Sequence, residues 1–280
     1  MSTTEIERPQ AAYALGHTSE EYERLRAQAR AWEAATGRLL DQVGLGPGAN
    51  CLDAGCGPGE TMRAMAERVG PAGRVLGVDA DPALGAMTLA MLHGAGHRQC
   101  HFQAQDLAAG EPIPGAPFDL VYARLLLFHL PRRVEVLRQL WDAVAPGGHL
   151  LVQDYDLRSI STLPQLDWAG ELLRVWTGAF GAVGADISAG TRLPQLFAQA
   201  GVGIPDGTDV AGRIEPLATG RLIMEGSFRS VLPTALAHGV TTEHRATAAL
   251  ASIDRDAARF PDRPVLWPLL IGAWKRKGQA

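Results

Sequence analysis

Apolar positions along this chain alternate between two rhythms. Short apolar runs lie at "NCLDAG", "GRVLGVDA", "CHFQAQDL", "PFDLVYARLLL" and "HLLVQDYD", bounded by glycine, proline or aspartate. Runs of that length and setting predict buried strands. Between them apolar residues recur every three or four positions, as helices require. "ETMRAMAERVG" predicts a helix ending at Gly70, and "DPALGAMTLAMLHGAG" one with Asp81 as N-cap and Pro82 at its first position. "PRRVEVLRQLWDAVAPGG" is a third, with Val134, Leu137, Trp141 and Val144 on one face and Pro146-Gly147-Gly148 as its stop. Strands alternating with helices of this length imply a parallel sheet with right-handed crossovers.

The ends depart from this rhythm. At the start, Tyr22, Leu25, Ala29 and Trp32 share a helical face, behind a capping box of Thr18 and Glu21. After Asp156 the chain reads as a helix at "WAGELLRVWTGAF", a loop at "GAVGADISAG" and a short helix at "TRLPQLFAQAGVG". Residues 217–258 read as mainly helical, and "PVLWPLLIGAWKRKG" as a final strand. The expected organisation is a helical cover over 1–47, an α/β core over 48–156, an insertion over 157–190, and a C-terminal part over 191–280. That last part carries its own helical insertion at about 217–262 and the last strand. Both insertions are candidates to cover the sheet's ligand edge.

Composition narrows the classes. The chain has 280 residues, 46% hydrophobic and 20% charged, with a net charge of −4. That length suits one large α/β domain with insertions, and the charge gives no general attraction to nucleic acid or anionic membrane. No apolar run approaches the roughly 20 residues of a membrane span. The polar N-terminus lacks a signal-peptide core, so the expected location is cytoplasmic. Cys51, Cys56 and Cys100 show no framework spacing, which fits a reducing compartment. His93, His97 and His101 are spaced by fours, but Gly94 and Gly96 break any helix that would align them on a metal.

Chemistry concentrates in "LDAGCGPGE". Gly55, Gly57 and Gly59 follow the first strand, the usual ligand turn of an open α/β sheet. The dinucleotide fingerprint G-x-G-x-x-G requires glycine at position 60, where this chain has Glu60. Asp53, two residues before the first glycine, would repel a pyrophosphate but suits a ligand carrying an ammonium and a sulfonium. Asp79 closes the second strand, where a carboxylate can accept from both hydroxyls of a ribose. Asp106 closes the third, in reach of an adenine amino group.

At these residues the chain resembles the class I S-adenosylmethionine-dependent methyltransferases. "LDAGCGPG", "VLGVDAD", "QAQDL", "FDLVYARLLLFHL" and "APGGHLLVQD" follow that family's pattern in order, over residues 48–155. The resemblance implies a Rossmann-like, doubly wound, mostly parallel seven-stranded sheet, and S-adenosyl-L-methionine as cofactor. It places Gly55 and its neighbours at the methionine portion, Asp79 at the ribose with Ala80 as a backbone contact, and Asp106 with Leu107 at the adenine. Arg124 falls where the family's main chain meets the cofactor's amino group; its guanidinium alternatively forms a surface ion pair. "YALGHTSEEYERLRAQ" resembles the leading segment of small-molecule members, which implies Tyr13 near the methyl group and Gln28 near the methionine tail, with a helix staple and an exposed side chain as their structural alternatives.

Methyl transfer from a sulfonium is an in-line displacement governed by alignment. His129 in "LFHLP" is the candidate base or acceptor-orienting group, with helix capping or packing as its structural alternative. Asp154, Tyr155 and Asp156 are candidates to bind an acceptor amine or hydroxyl, with solvated loop acids as the structural alternative. Ala123-Arg124-Leu125 stands where DNA-adenine enzymes place a Pro-Pro-aromatic turn, and no basic stripe appears, so no nucleic-acid substrate is expected. Trp168, Trp176, Phe180, Met224, Phe228 and Leu232 in the covering segments suit a mid-sized, partly apolar acceptor. The expected function is methylation of oxygen, nitrogen or carbon of such a metabolite, in specialised or quinone-type metabolism. A protein or RNA methyltransferase and a non-methylating cofactor binder are the alternatives, and a homo-oligomer is compatible with either.

Overall fold

The computed structural model describes residues 19–279. Tyr13 and the Thr18 half of the expected capping box lie outside the described residues. Helices α1 (Ser19–Ala31) and α2 (Glu33–Gln42) stand where the sequence predicts one helix. The break falls at Trp32, whose N–H bonds Ala29 O at 3.2 Å while its indole is 3% exposed. The ring packs edge-on against Tyr155 and Trp267, each 6.1 Å away centre to centre.

The core follows as β1 (Asn50–Ala54), α3 (Glu60–Val69), β2 (Arg74–Asp79), α4 (Pro82–Gly94), β3 (Cys100–Ala104), β4 (Phe118–Arg124), α5 (Arg133–Asp142) and β5 (Val144–Asp156). Then come β6 (Ser161–Thr162), α6 (Asp167–Ala182), α7 (Ala189–Gln199), β7 (Gly207–Ala211), β8 (Ile214–Pro216), α8 (Leu217–Ala237), α9 (Glu243–Arg259), β9 (Pro264–Leu266) and β10 (Leu269–Arg276). Seven strands form one sheet in the order β3-β2-β1-β4-β5-β10-β7, parallel except where β10 pairs antiparallel with β5 and β7.

Both faces of this sheet are covered, so its strands are apolar on both sides. Leu52, Val121 and Val152 pack with Leu137 of α5 and Phe197 of α7, while Cys51, Tyr122 and Leu151 pack with Leu40 of α2 and Met62 of α3. Asp81 caps α4 as expected, its carboxylate accepting from the N–H groups of Ala83 at 2.9 Å and Leu84 at 3.1 Å.

The expected single last strand is two. β9 joins β6 and β8 in a separate three-stranded sheet, and β10 enters the main one. Pro268 lies between them; without an N–H it cannot carry a ladder through. The small sheet and helices α6, α8 and α9 share an apolar cluster containing Trp168, Trp176, Phe180, Met224, Phe228 and Trp267, with Leu232 packed at its margin. This cluster stands over the carboxyl ends of β1, β4 and β5.

Candidate active site

Beyond those strand ends lies a cavity of about 900 Å³, near the upper end of the ~300–1,000 Å³ usual for ligand pockets. One end is walled by the glycine turn. Gly55 has φ +69°, and a Cβ there would stand 2.8 Å from Leu126 Cδ1. Gly59 has φ +78°, and its Cβ would stand 2.3 Å from Thr88 Cγ2. Both positions demand glycine, for conformation and for space. Gly55 and Gly57 line the cavity; Gly59 starts α3 outside its wall.

Asp79 ties this turn to the second strand. One carboxylate oxygen accepts from Gly57 N–H at 2.9 Å and the other from Asp81 N–H at 3.1 Å. Burial raises its pKa, with those two bonds pulling the other way. Ala80, Asp106 and Leu107 complete this end, and Asp106 also accepts from Ala108 N–H at 2.9 Å.

The structure puts Asp53 elsewhere than the sequence suggests. It is 1% exposed and does not line the cavity; it points into the α3 face of the sheet. Burial pushes its carboxyl up to about 7, against the pull of Arg124, and its Oδ2 has no hydrogen-bond partner. Strand alternation is the cause: Asp53 shares a face with Cys51, and the turn begins two residues later. Arg124 is likewise no surface ion-pair residue. Its guanidinium lines the cavity and donates to Thr36 Oγ1 at 3.3 Å, close under the N-terminal helices.

The other end is aromatic and apolar, lined by Leu157, Ile160, Trp176, Phe180, Met224 and Trp267. His129 stands at its margin, its ring 3.7 Å from that of Phe128 and 6.0 Å from that of Phe180, centre to centre. Burial, aided by Arg24, lowers its pKa to about 3, so the imidazole is neutral across the physiological range. Asp154 supports the turn that carries it: the fully buried carboxyl accepts from Leu127 N–H at 3.1 Å. Asp154 and Asp156 do not reach the cavity, and Asp156 pairs with Arg158 at 2.5 Å. Tyr155 does reach it, as do Gln28, Arg24 and Ser227.

Arg24, Ser227 and Trp267 were not signalled by the sequence pattern. The first two meet only when α1 and α8 cross, and Trp267 arrives through the unforeseen small sheet. Leu125 is a further surprise, a non-glycine residue at φ +54° on the cavity wall, where backbone strain often marks a functional turn. Among the described residues no three His, Cys, Asp or Glu side chains are grouped to hold a metal, and His93 Nε2 instead lies 3.0 Å from Cys100 O.

The residues present fit an adenosyl cofactor better than a dinucleotide. In a phosphate-binding turn the glycine N–H groups face the anion. Here the Gly57 N–H is spent on Asp79, and Glu60, its side chain 7% exposed, occupies the first turn of α3 with Arg26, Arg30 and Arg63 around it. A diphosphate would meet carboxylates, whereas a ribose diol and a sulfonium would not be repelled by them.

Comparison with known proteins agrees. A family model described as "Methyltransferase domain" matches residues 22–201. The chain is 36% identical over 126 residues to trans-aconitate 2-methyltransferase of Variovorax paradoxus, covering 44% of this chain and 45% of that protein. It is 36% identical over 147 residues to methyltransferase str3 of Strobilurus tenacellus, covering 52% and 50%. It thus spans about half the length of these curated relatives. A crystal structure titled as a putative methyltransferase from Bacillus halodurans has the same fold, with a TM-score of 0.60 at 15% identity, covering 88% of this chain and 100% of that one. With a mostly parallel seven-stranded sheet, an adenosyl-compatible turn and a family match across most of its length, the chain belongs to the class I S-adenosylmethionine-dependent methyltransferases.

Proposed function

We propose that this protein transfers a methyl group from S-adenosylmethionine to a small, partly apolar metabolite held in the aromatic chamber. The observation that carries this reading is one continuous cavity, with Asp79 and Asp106 at one end and Trp176, Phe180 and Trp267 at the other. Its volume has room for a cofactor and a mid-sized acceptor together. The acceptor atom can be oxygen, nitrogen or carbon, and a homo-oligomer remains compatible with the fold. Among the described residues no helix is long and apolar enough to cross a membrane.

When bound, S-adenosylmethionine supplies an electrophilic methyl group on a positive sulfur. The chain's own residues align and enclose. Asp79, anchored through Gly57 and Asp81, accepts from the ribose hydroxyls, with Ala80 beside it. Asp106 and Leu107 hold the adenine, the bend at Gly55 and Gly57 takes the methionine portion, and Arg124 and Gln28 flank it. The apolar chamber excludes water, which would otherwise compete with the acceptor. His129 orients: a neutral imidazole accepts a hydrogen bond from the acceptor, but a conjugate acid of pKa about 3 makes it a feeble base.

Calorimetry with S-adenosylhomocysteine tests the cofactor half. Wild-type protein should bind it, and Asp79→Ala should bind at least about tenfold more weakly, the loss expected for hydrogen bonds to a charged group. Equal affinities would remove the ribose role. Incubating the protein with cofactor and metabolite extracts should yield products heavier by one CH₂; S-adenosylhomocysteine binding with no such product would favour a non-methylating binder.

A further inference from the structure

A hydrogen-bond chain runs from α8 to the end of β5 along the chamber's wall. Arg24 Nη1 donates to Ser227 Oγ at 3.1 Å and to Gln28 Oε1 at 3.1 Å. Gln28 Nε2 donates to the Tyr155 hydroxyl at 2.9 Å, and Trp32 Nε1 donates to the same oxygen at 2.6 Å. The direction of every link is fixed by chemistry. Arginine and the indole nitrogen can only donate, so Gln28 must present its oxygen to Arg24 and its NH₂ to Tyr155. The Tyr155 oxygen therefore accepts twice.

A phenol oxygen has two lone pairs and one proton. Both lone pairs are taken, so the proton has to leave the network, and no group among the described residues accepts it. Tyr155 is 4% exposed, and it lines the cavity. Burial raises its pKa, the bonds from Gln28 and Trp32 opposing, so the hydroxyl keeps its proton.

From this polarised chain we infer that Tyr155 is the chamber's directed hydrogen-bond donor, and that it selects acceptor molecules presenting a carbonyl or carboxylate oxygen. Successive donors polarise one another, and with a guanidinium at its head this chain suits an oxygen bearing negative charge. An amine or hydroxyl can accept the same bond, but it also brings a proton that needs a second partner, which a carbonyl or carboxylate oxygen does not. Tyr155 is a candidate partner for an acceptor amine or hydroxyl; the direction of the hydrogen bonds makes it the donor in any such pair and favours an oxygen that brings no proton of its own. The inference deepens the proposed methyl-transfer reading and rests on it.

Two ring compounds of like size test it, acetophenone with a carbonyl and ethylbenzene without. Binding is read from the change in intrinsic tryptophan fluorescence, to which Trp176 and Trp267 on the cavity wall contribute, with S-adenosylhomocysteine present. Wild-type protein should prefer acetophenone by roughly five- to tenfold, the span of one net hydrogen bond, and Tyr155→Phe should abolish the preference. The carbonyl stretch of bound acetophenone should move to lower wavenumber in wild type and not in Tyr155→Phe. Gln28→Leu frees one lone pair, lets the proton turn, and should lessen the preference. Equal binding of the two probes by wild type, or a preference that survives Tyr155→Phe, overturns the inference. The wild-type comparison holds even if a variant misfolds. Failure of wild type to bind S-adenosylhomocysteine would instead strike the methyl-transfer reading itself.

Discussion

Replacing Asp53 by asparagine should stabilise the protein, increasingly so as pH rises. Its carboxyl is 1% exposed, and burial is the main cause of a pKa pushed from the ordinary 3.8 to about 7. The unfolded chain thus releases this proton near pH 3.8 and the folded chain near pH 7. Between those values the folded state binds one proton more, so wild-type stability falls as pH rises. The slope is about 1.4 kcal/mol per pH unit, and the window caps the loss at about 4 kcal/mol. Asparagine fills nearly the same volume and cannot ionise; its desolvation is a constant offset. Urea unfolding of both proteins from pH 4 to pH 8 isolates the effect, because all other titrating groups cancel in the difference. The advantage of Asp53→Asn should grow by about 2–4 kcal/mol over that range and level off above pH 7. A difference independent of pH would refute the assignment of Asp53 as a buried, weakly compensated acid.

His129 works with the opposite sign: its folded pKa of about 3 lies below the ordinary 6.5, so stability is lost as pH falls through that window. His129→Gln should flatten the acid side of a urea-midpoint profile between pH 6.5 and 4, and an unchanged slope would contradict a half-buried, neutral imidazole. The same ring should leave no inflection near pH 6.5 in initial rates. Gly55→Ala combines positive φ with a contact of 2.8 Å to Leu126; it should cost about 1–3 kcal/mol in unfolding experiments and weaken S-adenosylhomocysteine binding, and native stability with native affinity would deny the turn its tightness. Glu60→Gln removes the acid that Arg26, Arg30 and Arg63 meet at 3.3, 3.4 and 3.1 Å. Amide exchange in α1 should then accelerate, whereas unchanged exchange would show that apolar contacts alone hold that helix down.

Much of this arrangement was legible because local rules and tertiary environment agree. Asp81 caps α4 where Asp-Pro foretold it, and the glycine turn sits at the end of β1 because only glycines satisfy its dihedral angles and close approaches. What stayed hidden depends on packing between distant segments. Asp53 looked like a ligand group because its spacing from Gly55 is visible in sequence while the face it occupies is set by the sheet. The small sheet was illegible since β6, β8 and β9 are two or three residues long, too short for a period to register. Arg24 and Gln28 sit one helical turn apart, a readable pair, yet their joint meaning appears only when Ser227 of α8 and Tyr155 of β5 close the chain around them.

The two ends of the cavity divide the labour by charge. Asp79 and Asp106 put carboxylates where a cationic cofactor and its hydroxyls would lie, while the Tyr155 hydroxyl, which accepts from Gln28 and Trp32, keeps its proton for the chamber. On the proposed role of Tyr155, an acceptor with an electron-rich oxygen would turn away from the carboxylates and toward that hydroxyl before any bond changes. Alignment of this kind is what an in-line displacement needs most, and it is consistent with an imidazole at His129 whose basicity is lowered by burial. It also constrains the nucleophile. A nucleophile that carries no proton to lose, such as a carboxylate oxygen, suits this wall, whereas a protonated alkyl amine would need a base, and among the described residues His129 is a feeble one.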